Sequence, residues 1–580
     1  MSQQHSVLHS QSSQSSAQYL DNLRHSCAHL AAQAVLEIYP GTLLTIGPTT
    51  EHGFFYDFLP EHNFKEEDLP RIEAKMHEIA ARAYDVVGGQ VSKEKARPLF
   101  AHNRFKMEML EAIPGDTVGV YSQGSFTDLC RGGHVENIKV LKHFKLTGIS
   151  GSYWRADRNG QPLQRISGIA FATKEDLAAY EKQVADALTY DHRSLGKQLD
   201  LFSFRQESPG AAFFHPRGTV IYNELINFSR KLQQDTYQEI KTPLIMHESL
   251  WHTSGHYENY KENMYFTQID EQTHCVRPMN CPSSVMVYQE GLHSYRALPL
   301  RLSEYGLVHR YELSGVLHGL FRVRTFTQDD AHIFCTPDQI QQEVAGVLSL
   351  AEAIYKKFGF EEISYALSTR PEKSLGDAAQ WEQAIKALAD AMTHRGIAYK
   401  LQEGEGAFYG PKIEIRIKDA MGRQWQCGTV QVDFCLPENF DIDYVSSDQS
   451  RQRPVMIHRA IYGSIERFMG ILLEHYKGRV PFWIAPEQVR IMTITDAQAD
   501  YAYTVLAHLK HLGVRATIDT TSDKINAKIK RAQLMQIPWM FVLGDKEREQ
   551  NTVTLRQLDG SQRFGIALDA LGELVRAERE

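Results

Sequence analysis

Between residues 322 and 335 the chain reads RVRTFTQDDAHIFC, and a period of two sorts this stretch onto two faces. Arg322, Arg324, Phe326, Gln328, Asp330 and His332 fall on one; Val323, Thr325, Thr327, Asp329, Ala331 and Ile333 fall on the other. A half-buried strand normally hides an apolar face and wets a polar one. Here one face carries cations at one end, an aromatic ring in the middle, and amide, acid and imidazole at the other. That is the floor of a site for something anionic, flat and small. A second constellation lies near the N-terminus. His25 and His29 stand at i and i+4 in a helical pattern, which puts both imidazoles on one face, and Cys130 and His134 repeat the spacing in DLCRGGH. On spacing alone a metal site is a live reading of these four residues.

These groups need elements to position them, and the composition allows for them. With 580 residues, 42% hydrophobic and 23% charged, the chain is ordinary for a soluble globular protein of roughly three or four domains. No apolar run approaches the roughly 18 residues of a membrane span. The opening MSQQHSVLHSQSSQSS is polar, with no apolar core for secretion and too little Arg for an organellar transit peptide. Residues 1–20 are therefore expected to form a disordered tail on a cytoplasmic protein. Seven cysteines, none in a CxxC, argue against a disulfide framework and a zinc ribbon. A net charge of −8 argues against a surface coated for nucleic acid but leaves room for local basic patches.

Asp21 is the expected N-cap of a helix over NLRHSCAHLAAQAVLEIY, stopped by Pro40-Gly41. Mixed patterns follow through EHGFFYDF, the helix EEDLPRIEAKMHEIAARAY and the loop SFTDLCRGGHVEN. The charged stretch TKEDLAAYEKQVADALTYDHRSLGKQLDLF reads as a helical connector. In the aromatic-rich part beyond it, PKIEIRIKDAMGRQWQCGTVQVDF reads as a hairpin turning at DAMG, with Gly428 marking a bulge because Gln426 and Thr429 differ in parity. RAIYGSIERFMGILLEHYKG reads as a helix closed by Gly478. From Pro481 short strands alternate with helices, which predicts a compact α/β domain with a mostly parallel sheet.

The stretch HRYELSGVLHGLF, running into RVRTF, gives an Arg-x-Glu strand, a Gly-containing loop and a second strand with Arg and Phe. It resembles motif 2 of the class II aminoacyl-tRNA synthetases; GSIERF resembles motif 3, and KTPLIMHESLW, with Pro243, motif 1. The longer strings LWHTSGHYENYKENMYF, RPMNCP, RVRTFTQDDAHIFC and HRAIYGSIERF are similar to those of the threonyl-tRNA synthetases, over a stretch from about residue 21 to the C-terminus. The resemblance implies a multidomain α+β and α/β fold. An α+β editing domain with its connector would occupy 21–185, an antiparallel-sheet class II catalytic core 186–481, and an α/β anticodon-binding domain 482–580.

The implied roles suit the residue types. Arg310 and Arg467 would hold the phosphates of ATP, bound with Mg²⁺, since a planar guanidinium donates twice and stays charged. Glu312, Arg322, Gln426 and Thr429 would line the nucleotide site, with Phe326 stacked on adenine. Lys412 and His256 join the catalytic group, His256 near the terminal ribose of the tRNA. Cys281, His332 and His458 would bind one Zn²⁺ per subunit, leaving it an open position for L-threonine. Gln328, Asp330, Tyr409 and Gln431 would complete that pocket. Valine lacks the hydroxyl and would be rejected strongly, whereas serine lacks only a methyl, worth about 10- to 200-fold, so a correcting site is expected. His25, His29, Cys130 and His134, with Asp128, resemble the family's editing centre, which would hydrolyse seryl-tRNA(Thr) by positioning water and the ester. In the C-terminal part Glu547 and Arg556 match positions used for anticodon bases, and Lys524, Lys528 and Arg531 share a helical face that could track phosphates. Motif 1 implies a homodimer.

Two departures stand out. Many members begin with a small ubiquitin-like domain, where this chain has only the Ser/Gln tail. In CPSSV, Ser283-Ser284 replace the usual Gly-His beside the metal ligand. The expectation is an ATP-dependent ligase joining L-threonine to tRNA(Thr). Its rivals are a specialised paralogue acting as an RNA-binding regulator, a trans-editing deacylase, or an enzyme for another amino acid of similar size.

Overall fold

The computed structural model describes residues 3–157 and 160–579, residues 3–15 as backbone alone. The chain divides into two compact units, Met1–Ala185 and Asp186–Glu580.

The first unit is organised by a helix from Gln3 to Ile38 whose stripe Leu23, Cys27, Leu30, Ala31, Ala34 and Val35 is buried. Against it packs strand Gly53–Leu59, part of a four-stranded antiparallel sheet, which buries Phe54, Tyr56 and Phe58. Each such side chain contributes about 1.5–3 kcal/mol. A three-stranded sheet ends in strand Phe126–Leu129. Two sequence expectations are corrected here. Asp21 lies inside the long helix and accepts a hydrogen bond from Thr49 Oγ1 at 2.7 Å rather than capping the first turn. The helix also takes in residues 3–20, expected as a tail; no Pro or Gly interrupts it, so a helix nucleated on the buried stripe propagates backwards. Residues 1 and 2 of that tail lie outside the described residues. The connector is two helices, Lys174–Thr189 and His192–Gln198, the second capped by Asp191, which accepts from Arg193 N.

The second unit is centred on an eight-stranded sheet. Its middle strands are Leu300–His309, Thr325–Cys335, Val455–Ala460, Gln424–Asp433 and Lys412–Lys418, in that spatial order and antiparallel throughout. The signature strand begins at Thr325 rather than Arg322, because the Arg324 N–H is drawn to Gly210 O at 2.6 Å before the ladder starts. The hairpin is as expected. Its ladder pairs Ile415 with Gly428 and Arg416 with Gln426, leaving Cys427 as the extra residue, one position before the glycine. The helix read over 459–477 spans only Ile465–His475. Val455–Ala460 is buried at every position and forms a central strand, and the helix starts where Ser464 accepts from Arg467 N.

The C-terminal sheet runs 516–519, 489–493, 539–543, 552–557, 562–567 in spatial order. Its first two ladders are parallel and its last two antiparallel, so the sheet is mixed rather than mostly parallel. The strand the sequence pattern missed, Gln562–Ala567, buries only Ile566 and so carries no alternation to read. No helix among the described residues is long and apolar enough to cross a membrane.

Candidate functional site

One cleft with two lobes opens over the central strands. The first lobe, a cavity of about 370 Å³, is lined by Arg310, Glu312, Arg322, Phe326, Gln426, Thr429 and Arg467, together with Cys427, Gly463 and Ser464. The bulge explains how Gln426 and Thr429, of opposite parity, both reach it: one extra residue flips the alternation between them. The Arg310 guanidinium lies 5.1 Å from the centre of the Phe326 ring, and Arg467 has a buried Nε without a partner. Arg322 pairs with Glu312 at 2.9 Å on the rim. The lobe is thus cationic, with an aromatic plate, which suits a nucleotide.

The second lobe, about 340 Å³, shares Arg310, Gln328, Thr429 and Gly463 with the first and adds Asp330, Tyr409, Gln431, Cys281 and His458. The ladder register builds it. His332 stands opposite His458, and His458 opposite Gln431, on three adjacent strands. Cys281 enters from the first turn of helix Cys281–Gln289. Tyr409 donates to Gln431 Oε1 at 2.7 Å, and Asn280 donates to Asp330 at 3.1 Å. Burial raises the Asp330 carboxyl to about 6.

Cys281, His332 and His458 each offer a donor atom within 4.8 Å of the others. The unspent nitrogens test whether a metal fits. Buried His332 Nε2 and His458 Nδ1 have no hydrogen-bond partner, while the opposite nitrogens are engaged, His332 Nδ1 with Ser284 Oγ and His458 Nε2 with Asp433 Oδ2, both at 2.8 Å. Two orphaned imidazole nitrogens beside a buried thiol, each ring held from behind by an oxygen, are what a tetrahedral cation with three protein ligands requires. Burial, with His458 and Arg459, holds His332 well below its usual pKa and hence neutral. The unusual Ser284 therefore orients a ring of the cluster.

Two residues expected at the catalytic centre lie directly behind the lining of the second lobe, against Gln431 for Lys412 and against Met279 and Phe408 for His256. Lys412 lies opposite Gln431 in the ladder, but its ammonium pairs with Glu414 at 2.8 Å. His256 is fully buried, between Ser254 Oγ at 2.8 Å and Met279 Sδ at 3.2 Å, and burial lowers it to about 3.

In the first unit His25, His29, Cys130 and His134 converge, their donor atoms within 4.8 Å of one another. The loop CRGGH turns back through Gly132 and Gly133 at φ +93° and +83°, and a Cβ at Gly132 would meet the Tyr121 hydroxyl at 2.5 Å. The His25 and His134 rings stack at 4.2 Å. His134 is partnered at both nitrogens, by Ser26 Oγ at 3.2 Å and Cys130 Sγ at 3.1 Å. Burial lowers all three imidazoles, His134 to about 3, and raises the Cys130 thiol to about 11. The cluster holds neutral bases and an un-ionised thiol. Beside it Asp128 accepts from Tyr56 Oη at 2.6 Å and from Lys106 Nζ at 2.5 Å and lies 3.7 Å from His29 Nε2. Tyr56 and Lys106 belong to no motif in the sequence. Lys106 is buried beside Phe105 and one turn from Leu110 on its helix, and a lysine on an apolar face was the available signal.

The C-terminal expectations fare differently. Lys528 is buried, its ammonium donating to Thr493 O and Asp519 O, Arg531 is ion-paired to Asp519 and Asp523, and Lys524 precedes the helix as its cap residue. The shared cationic face is thus corrected: two of its three cations serve the domain's own carbonyls and carboxylates. Glu547 accepts from Gly544 N and Thr554 Oγ1, and Arg556 keeps a buried Nε without a partner.

Comparison with known proteins gives three family matches. Residues 265–476 match the tRNA synthetase class II core domain (G, H, P, S and T), 488–578 an anticodon binding domain, and 118–167 the threonyl and alanyl tRNA synthetase second additional domain. A threonine–tRNA ligase of Clostridium botulinum is 49% identical over 560 residues, covering 96% of this chain and 88% of that one. That of Carboxydothermus hydrogenoformans is 49% identical over 567 residues, covering 96% and 89%. Among solved structures, the RNA binding domain of threonyl-tRNA synthetase from Cryptosporidium parvum superposes with a TM-score of 0.65 at 43% identity, covering 67% of this chain and 98% of that one. A threonyl-tRNA synthetase of Aeropyrum pernix, described as putative, gives 0.60 at 27% identity, covering 67% and 95%. By sequence along nearly its whole length, and by fold, this chain belongs to the threonine–tRNA ligases of the class II aminoacyl-tRNA synthetases.

Proposed function

We propose that the chain activates L-threonine with ATP, transfers the threonyl group to tRNA(Thr), and hydrolyses seryl-tRNA(Thr) in its first unit. The carrying observation is the two-lobed cleft, in which a cationic aromatic lobe and a polar Cys/His lobe meet at Arg310, Gln328, Thr429 and Gly463. That shared wall is where a carboxylate from one lobe would attack the α-phosphorus of a nucleotide in the other, releasing pyrophosphate. Arg310 and Arg467 would neutralise the charge that gathers on the phosphate oxygens, with Mg²⁺ sharing that load. Phe326 would carry adenine. A ribose hydroxyl of the tRNA would then attack the acyl carbon and displace AMP.

Cys281, His332 and His458 would hold a zinc ion, which supplies a Lewis-acidic centre for the amino and hydroxyl groups of threonine. Asp330 faces the same pocket as an anion for the ammonium, and Gln328, Tyr409 and Gln431 orient the rest. A site built to satisfy a hydroxyl leaves its polar groups unpaired with valine. Serine is left to the first unit, where His25, His29, Cys130 and His134 would position a water and the ester for hydrolysis. A second reading of that cluster, a metal site, is favoured by its four converging donors; the metal content of the protein decides between them.

The division into editing, catalytic and anticodon-binding parts at 21–185, 186–481 and 482–580 belongs to this reading, as does a homodimer built on KTPLIMHESLW. A cytoplasmic location accords with seven unpaired cysteines. The test is amino-acid-dependent exchange of pyrophosphate into ATP across a panel of amino acids. Threonine alone should support strong exchange. No exchange would favour an RNA-binding regulator or a trans-editing deacylase, and a different preferred amino acid would overturn the substrate assignment.

A further inference from the structure

Asp329 points away from the cleft, on the strand face opposite Gln328 and Asp330, and is 1% exposed. Its carboxylate accepts three backbone N–H bonds from a single turn: Oδ2 from Ile461 and Tyr462, Oδ1 from Gly463, all at 2.9 Å. Two residues earlier on the strand the relation reverses, and the Thr327 N–H donates to both carboxylate oxygens of Glu466, at 3.1 and 2.9 Å. Strand Thr325–Cys335 and the turn into helix Ile465–His475 therefore hold each other at two neighbouring points. Buried charge is costly unless fully hydrogen-bonded, and here the bonds are spent on one backbone segment rather than on a counter-ion alone.

What that segment carries gives the contact its meaning. Gly463 lines both lobes, and Ser464 and Arg467 line the nucleotide lobe. Ser464 Oγ accepts from Arg467 N at 3.1 Å, so the turn also sets where Arg467 begins. Gly463 has φ +78°, and a Cβ there would meet Cys427 O at 2.7 Å, so the turn has little room on its other side. The strand thus presents Phe326, Gln328 and Asp330 to the substrates from one face, while Asp329 clamps the opposite wall from the other.

We propose that Asp329 is a positioning residue for adenylate formation, acting through the 461–463 turn on Gly463 and Arg467. The proposal rests on the activation reading above. Asp329→Asn keeps the shape but replaces one acceptor oxygen by an amide NH₂, leaving part of the turn without its acceptor. A displacement of about 1 Å costs on the order of 100-fold, so threonine-dependent exchange should lose about that much in kcat/KM, with kcat falling and KM for ATP rising. Bound metal should stay at the wild-type level. Gly463→Ala should reproduce the pattern by pushing the same turn from the other side, and it serves where Asp329→Asn folds poorly. A purely structural role would lower the melting temperature but leave KM for ATP, and kcat per active site by adenylate burst, unchanged in both variants; that result overturns the proposal. Loss of metal from Asp329→Asn would place the defect at the ligands and overturn it too. A wild-type chain without exchange would overturn the activation reading itself.

Discussion

Among the described residues, two Cys/His clusters of nearly the same composition are built to opposite plans. In the second unit the three donors come from a helix and two strands far apart in sequence. Each imidazole there is held from behind by one oxygen and leaves its other nitrogen buried and unspent. In the first unit the donors come from one helix and one tight loop, the rings stack on each other, and His134 is partnered on both sides. Burial keeps these imidazoles neutral and the thiol protonated. The difference lies in the second nitrogen. In the proposed reading, an orphaned nitrogen opposite an oriented one would serve a cation, while a neutral cluster with His134 bonded on both sides, beside a buried Lys106–Asp128 pair, would position water and ester.

The sharpest way to break this contrast is Cys281→Ala. It should abolish threonine-dependent exchange, and with it a preference over valine expected at about 10⁴-fold, while seryl-tRNA hydrolysis survives. Exchange assays with both amino acids and a deacylation assay check it. The converse variant is His134→Ala, for which deacylation should fall by about 10²- to 10⁴-fold, the usual contribution of a positioned base. Exchange, carried by the other unit, should hold. If either variant damages both activities, the division of labour is wrong.

Ser284→Ala sharpens the comparison by removing only the oxygen behind His332. Loss of such an outer partner typically costs 10- to 100-fold in metal affinity. Competition with a zinc chelator should show a shift in that range, with the fold unchanged by circular dichroism. No shift would mean that the hydroxyl does not orient the ring.

The smallest effect is a pH dependence of stability. His134 titrates near 6.5 when unfolded and about 3 when folded, so its neutral form stabilises the fold fully above pH 6.5. Below that pH the unfolded chain takes up the proton first, and the contribution is lost as pH falls towards 3. The melting temperature of the full chain should therefore drop more between pH 7.5 and 5 than that of His134→Gln. Equal drops would contradict a buried neutral imidazole.

Much of the catalytic cleft was legible because period-two parity survives folding. Phe326, Gln328, Asp330 and His332 do share a face, and the clash of parity between Gln426 and Thr429 revealed the bulge. The HxxxH and CxxxH spacings each placed two side chains together because a helix turn and a Gly-Gly reversal are local devices, while the meeting of the two pairs came from the family resemblance. What was not legible depended on distant partners. The convergence of Cys281 with the two histidines is set by strand register across residues far apart in sequence. The part played by Asp329 was not legible because its partners are backbone N–H groups, which have no sequence signature. Lys528 and Arg531 read as a cationic face because helical periodicity says nothing about a neighbouring carbonyl or carboxylate. The helix before Ile465 was over-extended because Val455–Ala460, buried at every position, has no alternation that separates strand from helix.

The central claim is that one cluster binds a metal and the other does not. Elemental analysis of the purified full-length chain tests it most directly, run on the wild type, on Cys281→Ala and on a variant with His25, His29 and Cys130 replaced. About one zinc per chain is expected in the wild type and the last variant and essentially none in Cys281→Ala. A metal-free wild type, or zinc that leaves with the N-terminal histidines, would contradict it.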